Sequence, residues 1–221
     1  MDELHDSQDN FWISYADLMA GLLFVFILVV GAIILKHSYI TAELSQTRQE
    51  IQNLTGVKAQ VIKSLKKKLG KKIKIDPKTG SISISGDILF DQGDYKLKDN
   101  AKAELKSVLN DYLEVLLYDK EIKKHIDRII VEGHTNSDGS YLFNLELSQK
   151  RALEVMKFIF KLKPDIEQDL RKYIVASGRS YSDRIIVNGK ENKFASRRIE
   201  IKFRLKNDEA INEISRLLGK Q

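Results

Sequence analysis

The sequence contains no cysteine, so neither a disulfide framework nor a thiolate metal site is open to it, and cysteine usage is silent about its redox compartment. Lysine and arginine are missing from residues 1–35, a stretch that holds Asp2, Glu3, Asp6, Asp9 and Asp17. No nucleophile elbow, phosphate-binding loop or paired-carboxylate motif occurs, which argues against an enzyme. His134 has no second histidine at ligand spacing, so a hydrogen-bonding structural role is expected of it rather than a metal. What is present is a globular composition: 221 residues, 43% hydrophobic and 31% charged, enough for one ordinary domain plus accessory segments. The net charge of +6 conceals an asymmetry, because the chain beyond residue 35 carries all 37 Lys and Arg against 26 of the 31 Asp and Glu, a net of +11. Such a surface favours anionic neighbours, whether nucleic acid, phospholipid head groups or cell-wall carboxylates.

Residues 18–35, LMAGLLFVFILVVGAIIL, have neither charge nor proline. Extended to 11–36 at about 1.5 Å per residue, the segment is long enough to cross a hydrocarbon core of roughly 30 Å with some tilt. Residues 1–10 then form a short tail, and Phe11, Trp12 and Tyr15 one interfacial aromatic belt. A cleaved signal peptide would need a basic flank and a small-residue cleavage site, and neither is there. Asp17 falls one to two turns inside this helix, where an ionised carboxylate is costly unless it faces protein or water. Two readings stand: a functional carboxylate, or an interfacial Asp that caps the helix start. The small residues Ser14, Ala16, Ala20 and Gly21 around it favour the first, since they allow another helix to approach closely.

The connector, residues 37–70, places Leu44, Ile51, Leu54, Val61 and Leu65 at heptad a and d positions, with Thr47 and Lys58 as interruptions. A short two-stranded parallel coil and an amphipathic helix lying on its own domain both fit. The lysine run KKKLGKK at 66–72 lacks the interleaved aromatics of a base-stacking surface, so no nucleic-acid partner is expected. Beyond it, Ile73 and Ile75, the turn 76–80, then Ile82 and Ile84 predict a hairpin. Helical stripes over 101–116 and 142–162 alternate with strands at 127–132, 173–176 and 198–206. This order predicts an α+β domain over 71–206, a mixed sheet with helices packed on one face, followed by a C-terminal helix over 207–221.

The segment FWISYADLMAGLLFVFIL resembles the flagellar stator B-subunit (MotB) family, whose single transmembrane helix carries a Tyr/Phe-Ala-Asp motif, here Tyr15-Ala16-Asp17. The resemblance implies that Asp17 is the ion carrier, that the helix pairs with a second copy in a homodimer, and that a ring of MotA-like polytopic subunits surrounds it. It also implies an N-terminus in the cytoplasm and a C-terminal domain in the periplasm of a bacterial inner-membrane protein. The positive-inside rule alone gives the reverse orientation, but long domains translocate largely regardless of charge. The apolar surroundings of Asp17 offer few further oxygen ligands for sodium, so the expected ion is H⁺; no cofactor is expected.

Three further motifs, ILFDQGDYKL at 88–97, VEGHTNSDGSYLFNLELSQKRALEV at 131–155 and ASRRIEI at 195–201, resemble the OmpA-like peptidoglycan-binding domain over roughly 72–206. That resemblance implies a pocket for the wall's stem peptide, whose diaminopimelate offers an amine and a carboxylate. Arg151 of the L-S-x-x-R-A motif would take the carboxylate, with Phe143, Asn144 and Leu147 lining the pocket. Asn136 stands where the family has Asp; an amide still accepts from an ammonium but brings no charge, and Asp138 lies two residues away to compensate. Together the motifs look more like the B subunits of the Zorya anti-phage defence system than like flagellar stators. The alternatives are a flagellar stator subunit and a passive envelope tether.

Overall fold

The computed structural model describes residues 3–206 and Asp208, so the expected C-terminal helix lies outside the described residues but for Asp208. The chain divides into two compact units, residues 1–52 and 53–221. A single helix, α1 (Glu3–Leu69), supplies all of the first unit that is described and the opening of the second.

In the first unit, Tyr15–Gln49 is long and apolar enough to cross a membrane. Its apolar side chains, among them Leu22, Phe24, Ile27 and Leu35, stand exposed, as a lipid-facing or partner-facing helix requires.

The second unit continues with β1 (Ile82–Ser85), α2 (Gly86–Leu89), α3 (Asp99–Leu113), a π-helical turn (Glu114–Tyr118), α4 (Lys120–Lys123), β2 (Ile126–His134) and α5 (Tyr141–Leu162). It closes with α6 (Glu167–Tyr173), β3 (Ile174–Gly178), the small hairpin β4 (Ile186–Val187) and β5 (Lys190–Glu191), α7 (Lys193–Ser196) and β6 (Arg198–Leu205). The main sheet has the order β1-β6-β2-β3, with β2 and β3 parallel and the other neighbours antiparallel. Along β6 the strand period of two puts Ile199, Ile201, Phe203 and Leu205 in the core and Arg198, Glu200, Lys202 and Arg204 on the opposite face. The helices cover the apolar face: Leu105, Val108, Leu109 and Tyr112 of α3, and Ala152, Val155 and Ile159 of α5, are buried at helical spacing.

Two local readings change, and at the end of α1 one of two open readings is taken up. The hairpin expected over 72–85 has only one real arm, because Lys72 and Ile73 donate their amides to Leu69 O in the last turn of α1 and only Ile75 bridges to Ile82. β1 pairs instead with β6. The helical stripe expected to run through Leu116 passes into the π turn after Leu113, and the extra residue brings Leu116 and Leu117 into the core together. Val61 and Leu65, candidate coil positions, are fully buried against their own domain along with Leu69. Each such side chain contributes about 1.5–3 kcal/mol of burial, so this end of α1 is a core element of the domain. The lysine run is partly neutralised within the chain, Lys68 by Glu114 and Lys72 by Asp111.

Candidate binding pocket and membrane carboxylate

Two glycines set the pocket's geometry. A Cβ on Gly133 would fall 2.1 Å from the Ser148 carbonyl oxygen and one on Gly178 2.5 Å from the Gln149 amide nitrogen, so α5 lies directly on the backbones of β2 and β3. Its residues Asn144, Leu147 and Arg151, three and four apart, therefore share one face beside the ends of those strands. Ser140 caps α5, its Oγ accepting from Phe143 N at 3.3 Å. The loop from β2 into α5 turns at Gly139, whose φ of +91° suits glycine.

All six residues expected at a peptide site, Asn136, Asp138, Phe143, Asn144, Leu147 and Arg151, line one open depression of about 620 Å³. Arg151 is buried; its Nε donates to Asp94 O (2.8 Å), its Nη2 to Asp91 O (3.2 Å), and its guanidinium lies 5.0 Å from the Phe90 ring centroid. Burial pulls the guanidinium below the usual arginine value, the charges of Asp87 and Asp94 opposing the shift and Arg197 adding to it. Nη1 makes no hydrogen bond among the described residues, which leaves a charged donor for an anion. Asn144 is spent on structure: its Nδ2 donates to Asp138 O (2.7 Å) and Ser140 O (3.2 Å).

Asn136 and Asp138 form a closed pair. Asn136 Nδ2 donates to Asp138 Oδ2 (2.7 Å), and the Asp138 amide donates back to Asn136 Oδ1 (3.3 Å). The other Asp138 oxygen accepts from Lys193 Nζ at 2.5 Å. The Lys193 hydrogen bond holds the Asp138 carboxyl below its ordinary range, against a small desolvation effect. The pocket's other acids are committed elsewhere: Asp87 takes both arms of the Arg197 fork (2.9 and 2.6 Å), and Asp91 pairs with Lys98 at 3.2 Å.

Asp87, Phe90, Lys98, Thr135 and Arg197 also line the depression and were not singled out from sequence, although Phe90, Thr135 and Arg197 fall inside the three motifs and Asp87 and Lys98 directly flank the first. The Thr135 hydroxyl is buried without a partner at its edge, a donor or acceptor for a ligand.

Beneath the pocket loop, His134 is buried, and its Nδ1 has no hydrogen-bond partner. Its Nε2 lies 3.5 Å from Glu132 and 3.7 Å from Glu200. His134, Asp183 and Glu200 could place ligand atoms within 4.8 Å of one another, but Arg198 already bridges Asp183 (3.0 Å) and Glu200 (3.3 Å) and Lys202 holds Glu132 (2.8 Å). The cluster is an ion-pair network whose cations come from the chain itself.

In the membrane-compatible helix, Asp17 is exposed with Ala20 and Gly21 one turn on, and a Cβ at Gly21 would meet nothing within 4 Å. Tyr15 and Ala16 are exposed too, Tyr15 edge-on to Trp12 at 6.3 Å between centroids; the side chain of Ser14 lies outside the described residues. From residue 10 to residue 42 Asp17 is the one acidic residue.

A four-stranded mixed sheet with helices on one face and a loop-built pocket at the strand ends defines the class, and the OmpA family matches residues 89–204, a little over half of the chain. Zorya protein ZorB of Escherichia coli O139:H28 is 31% identical over 216 residues, covering 90% of this chain and 81% of that protein. A second Zorya protein ZorB, from Escherichia coli strain Crooks, is 29% identical over 214 residues, with 89% and 88% covered. A crystal structure of a putative MotB-like protein from Desulfovibrio vulgaris shares the fold, with a TM-score of 0.53 at 16% identity over 71% of this chain and 96% of that one. The chain belongs to the OmpA family and, within it, to the ZorB proteins of Zorya.

Proposed function

We propose that this protein is the B-type subunit of an ion-driven inner-membrane motor of the Zorya defence system, tethered to peptidoglycan by its OmpA-type domain. The observation that carries the reading is the pairing, on one chain, of an apolar stretch, residues 11–36, whose one carboxylate is Asp17, with a domain whose pocket holds a buried arginine. A tether alone has no use for a carboxylate in the membrane, where it is costly. An ion path does, because a carboxylate can load and release a proton as it meets water on either side. The small residues Ala16, Ala20 and Gly21 suit close packing against a second copy and a surrounding ring of polytopic MotA-like subunits. The N-terminus lies in the cytoplasm and the pocket domain in the periplasm, where the wall is. In the pocket, Arg151 takes the carboxylate of a stem peptide, and the polar loop 135–138 takes its amine.

The experiment is co-purification of the full-length protein with the polytopic membrane protein encoded beside it, followed by proton flux in vesicles for wild type and Asp17→Asn. The expected result is a stable complex in both cases and flux lost by at least about tenfold in the variant. Flux and defence that survive Asp17→Asn leave only the tether.

A further inference from the structure

We propose that Asp138, positioned by Asn136, is the carboxylate that receives the ligand's ammonium, and that Lys193 occupies it beforehand as a competing cation that sets the pocket's threshold for amine-bearing peptides. The proposal rests on the wall-binding reading and adds the residues that govern its selectivity.

Asn136 is spent on Asp138. With its Nδ2 on the carboxylate and its Oδ1 on the amide of the same residue, it offers an incoming ammonium little of its own. What the pair does offer is a fixed negative charge two residues further along, which an aspartate at 136 would repel rather than hold. Of the pocket's three acids, Asp87 is locked in a two-pronged arginine fork, and Asp91, paired with Lys98, stands at the Arg151 end that takes the ligand's carboxylate, its carbonyl accepting from Arg151 Nη2 at 3.2 Å. Asp138 meets a single lysine ammonium, at 2.5 Å, and both side chains are more than half exposed (60% and 54%). An exposed pair of this kind is weakly held and readily exchanged. A primary ammonium from a ligand is chemically the same partner as Lys193 Nζ, so the two compete for one oxygen.

Lys193 is delivered there by design of the local chain. Asn192 caps α7 through its Oδ1 to Ala195 N (3.0 Å), and Glu191 latches the loop by accepting from Ser137 N (3.1 Å) and from the Ser137 hydroxyl. The loop 190–197 thus closes on the loop 135–138 at two neighbouring points, one neutral donor to acid and one ion pair. Opening the second leaves the first in place, so exchange of Lys193 for a ligand requires no loop displacement.

The test is calorimetric binding, by the full-length protein in detergent, of a soluble wall-type tripeptide whose last side chain ends in a free amine and carboxylate, beside the same peptide with that amine acetylated. Lys193→Met is expected to bind the free-amine peptide about two- to fivefold tighter, as removal of a competing exposed ion pair implies, and the acetylated peptide unchanged. Asp138→Asn is expected to lose the preference for the free amine, with an unaltered melting temperature as the check on folding. Unchanged or weaker binding of the free-amine peptide by Lys193→Met overturns the proposal while leaving wall binding intact. Failure of the wild type to bind either peptide overturns the wall-binding reading itself.

Discussion

At the scale of single residues, charge has been moved rather than lost. An asparagine where the family pattern has an acid reads in the sequence as a weakened site; in the structure its amide steadies a neighbouring carboxylate. The sequence could show that Asn136 and Asp138 were close, but not that one spends both ends of its amide on the other, because that depends on the turn at Gly139. Glu132 is a second residue whose role only the structure gives. Burial raises its pKa, but the His134 and Lys202 side chains beside it more than reverse this, taking it from an ordinary 4.5 down to about 2. A carboxyl depressed on folding stabilises the domain above pH about 4.5, and that stabilisation drains away as pH falls toward 2. Chemical denaturation between pH 7 and pH 2 should show the loss, and Glu132→Gln should flatten the profile across that window while lowering stability at neutral pH.

At the scale of elements, periodicity served well where one face is buried and poorly where backbone hydrogen bonds decide. The helix over 142–162 and the strand over 198–206 were legible because their apolar positions recur at 3.6 and 2 residues; they form as Tyr141–Leu162 and Arg198–Leu205. The arm at 72–75 has the same alternation, yet its amides are taken by the end of α1. The β4–β5 hairpin went unread because its strands are two residues long and its turn residues, Asn188 and Gly189, both at positive φ, are its only signal. Gly133 is the element-level constraint with most at stake. Gly133→Ala puts a methyl group 2.1 Å from the Ser148 carbonyl and must push α5 off the sheet. A cost of about 3 kcal/mol, the upper end of the usual overpacking range, is expected in urea unfolding, together with loss of peptide binding, since Asn144, Leu147 and Arg151 ride on that helix. Peptide binding unchanged in this variant would mean that the α5 contact does not set the pocket.

At the scale of the whole molecule, α1 belongs to both units: its first part is exposed and apolar, and its last turns put Val61, Leu65 and Leu69 into the domain core. The sequence left coil and self-packing equally open there, because apolar residues at heptad spacing serve a partner's helix or the chain's own sheet alike. The burial of α1's last turns also separates the unit of ancestry from the unit of folding. The stretch shared with the OmpA family, residues 89–204, stops short of β1 and of the three buried α1 side chains. Cut out alone, it would leave β6 as a raw sheet edge beside an uncovered apolar surface, the combination that leads to aggregation. Residues 53–206 should be soluble, with one cooperative melt, and residues 89–204 should not be. A gene fragment drawn at the boundary of common descent would inherit the pocket's residues without the means to keep them in place.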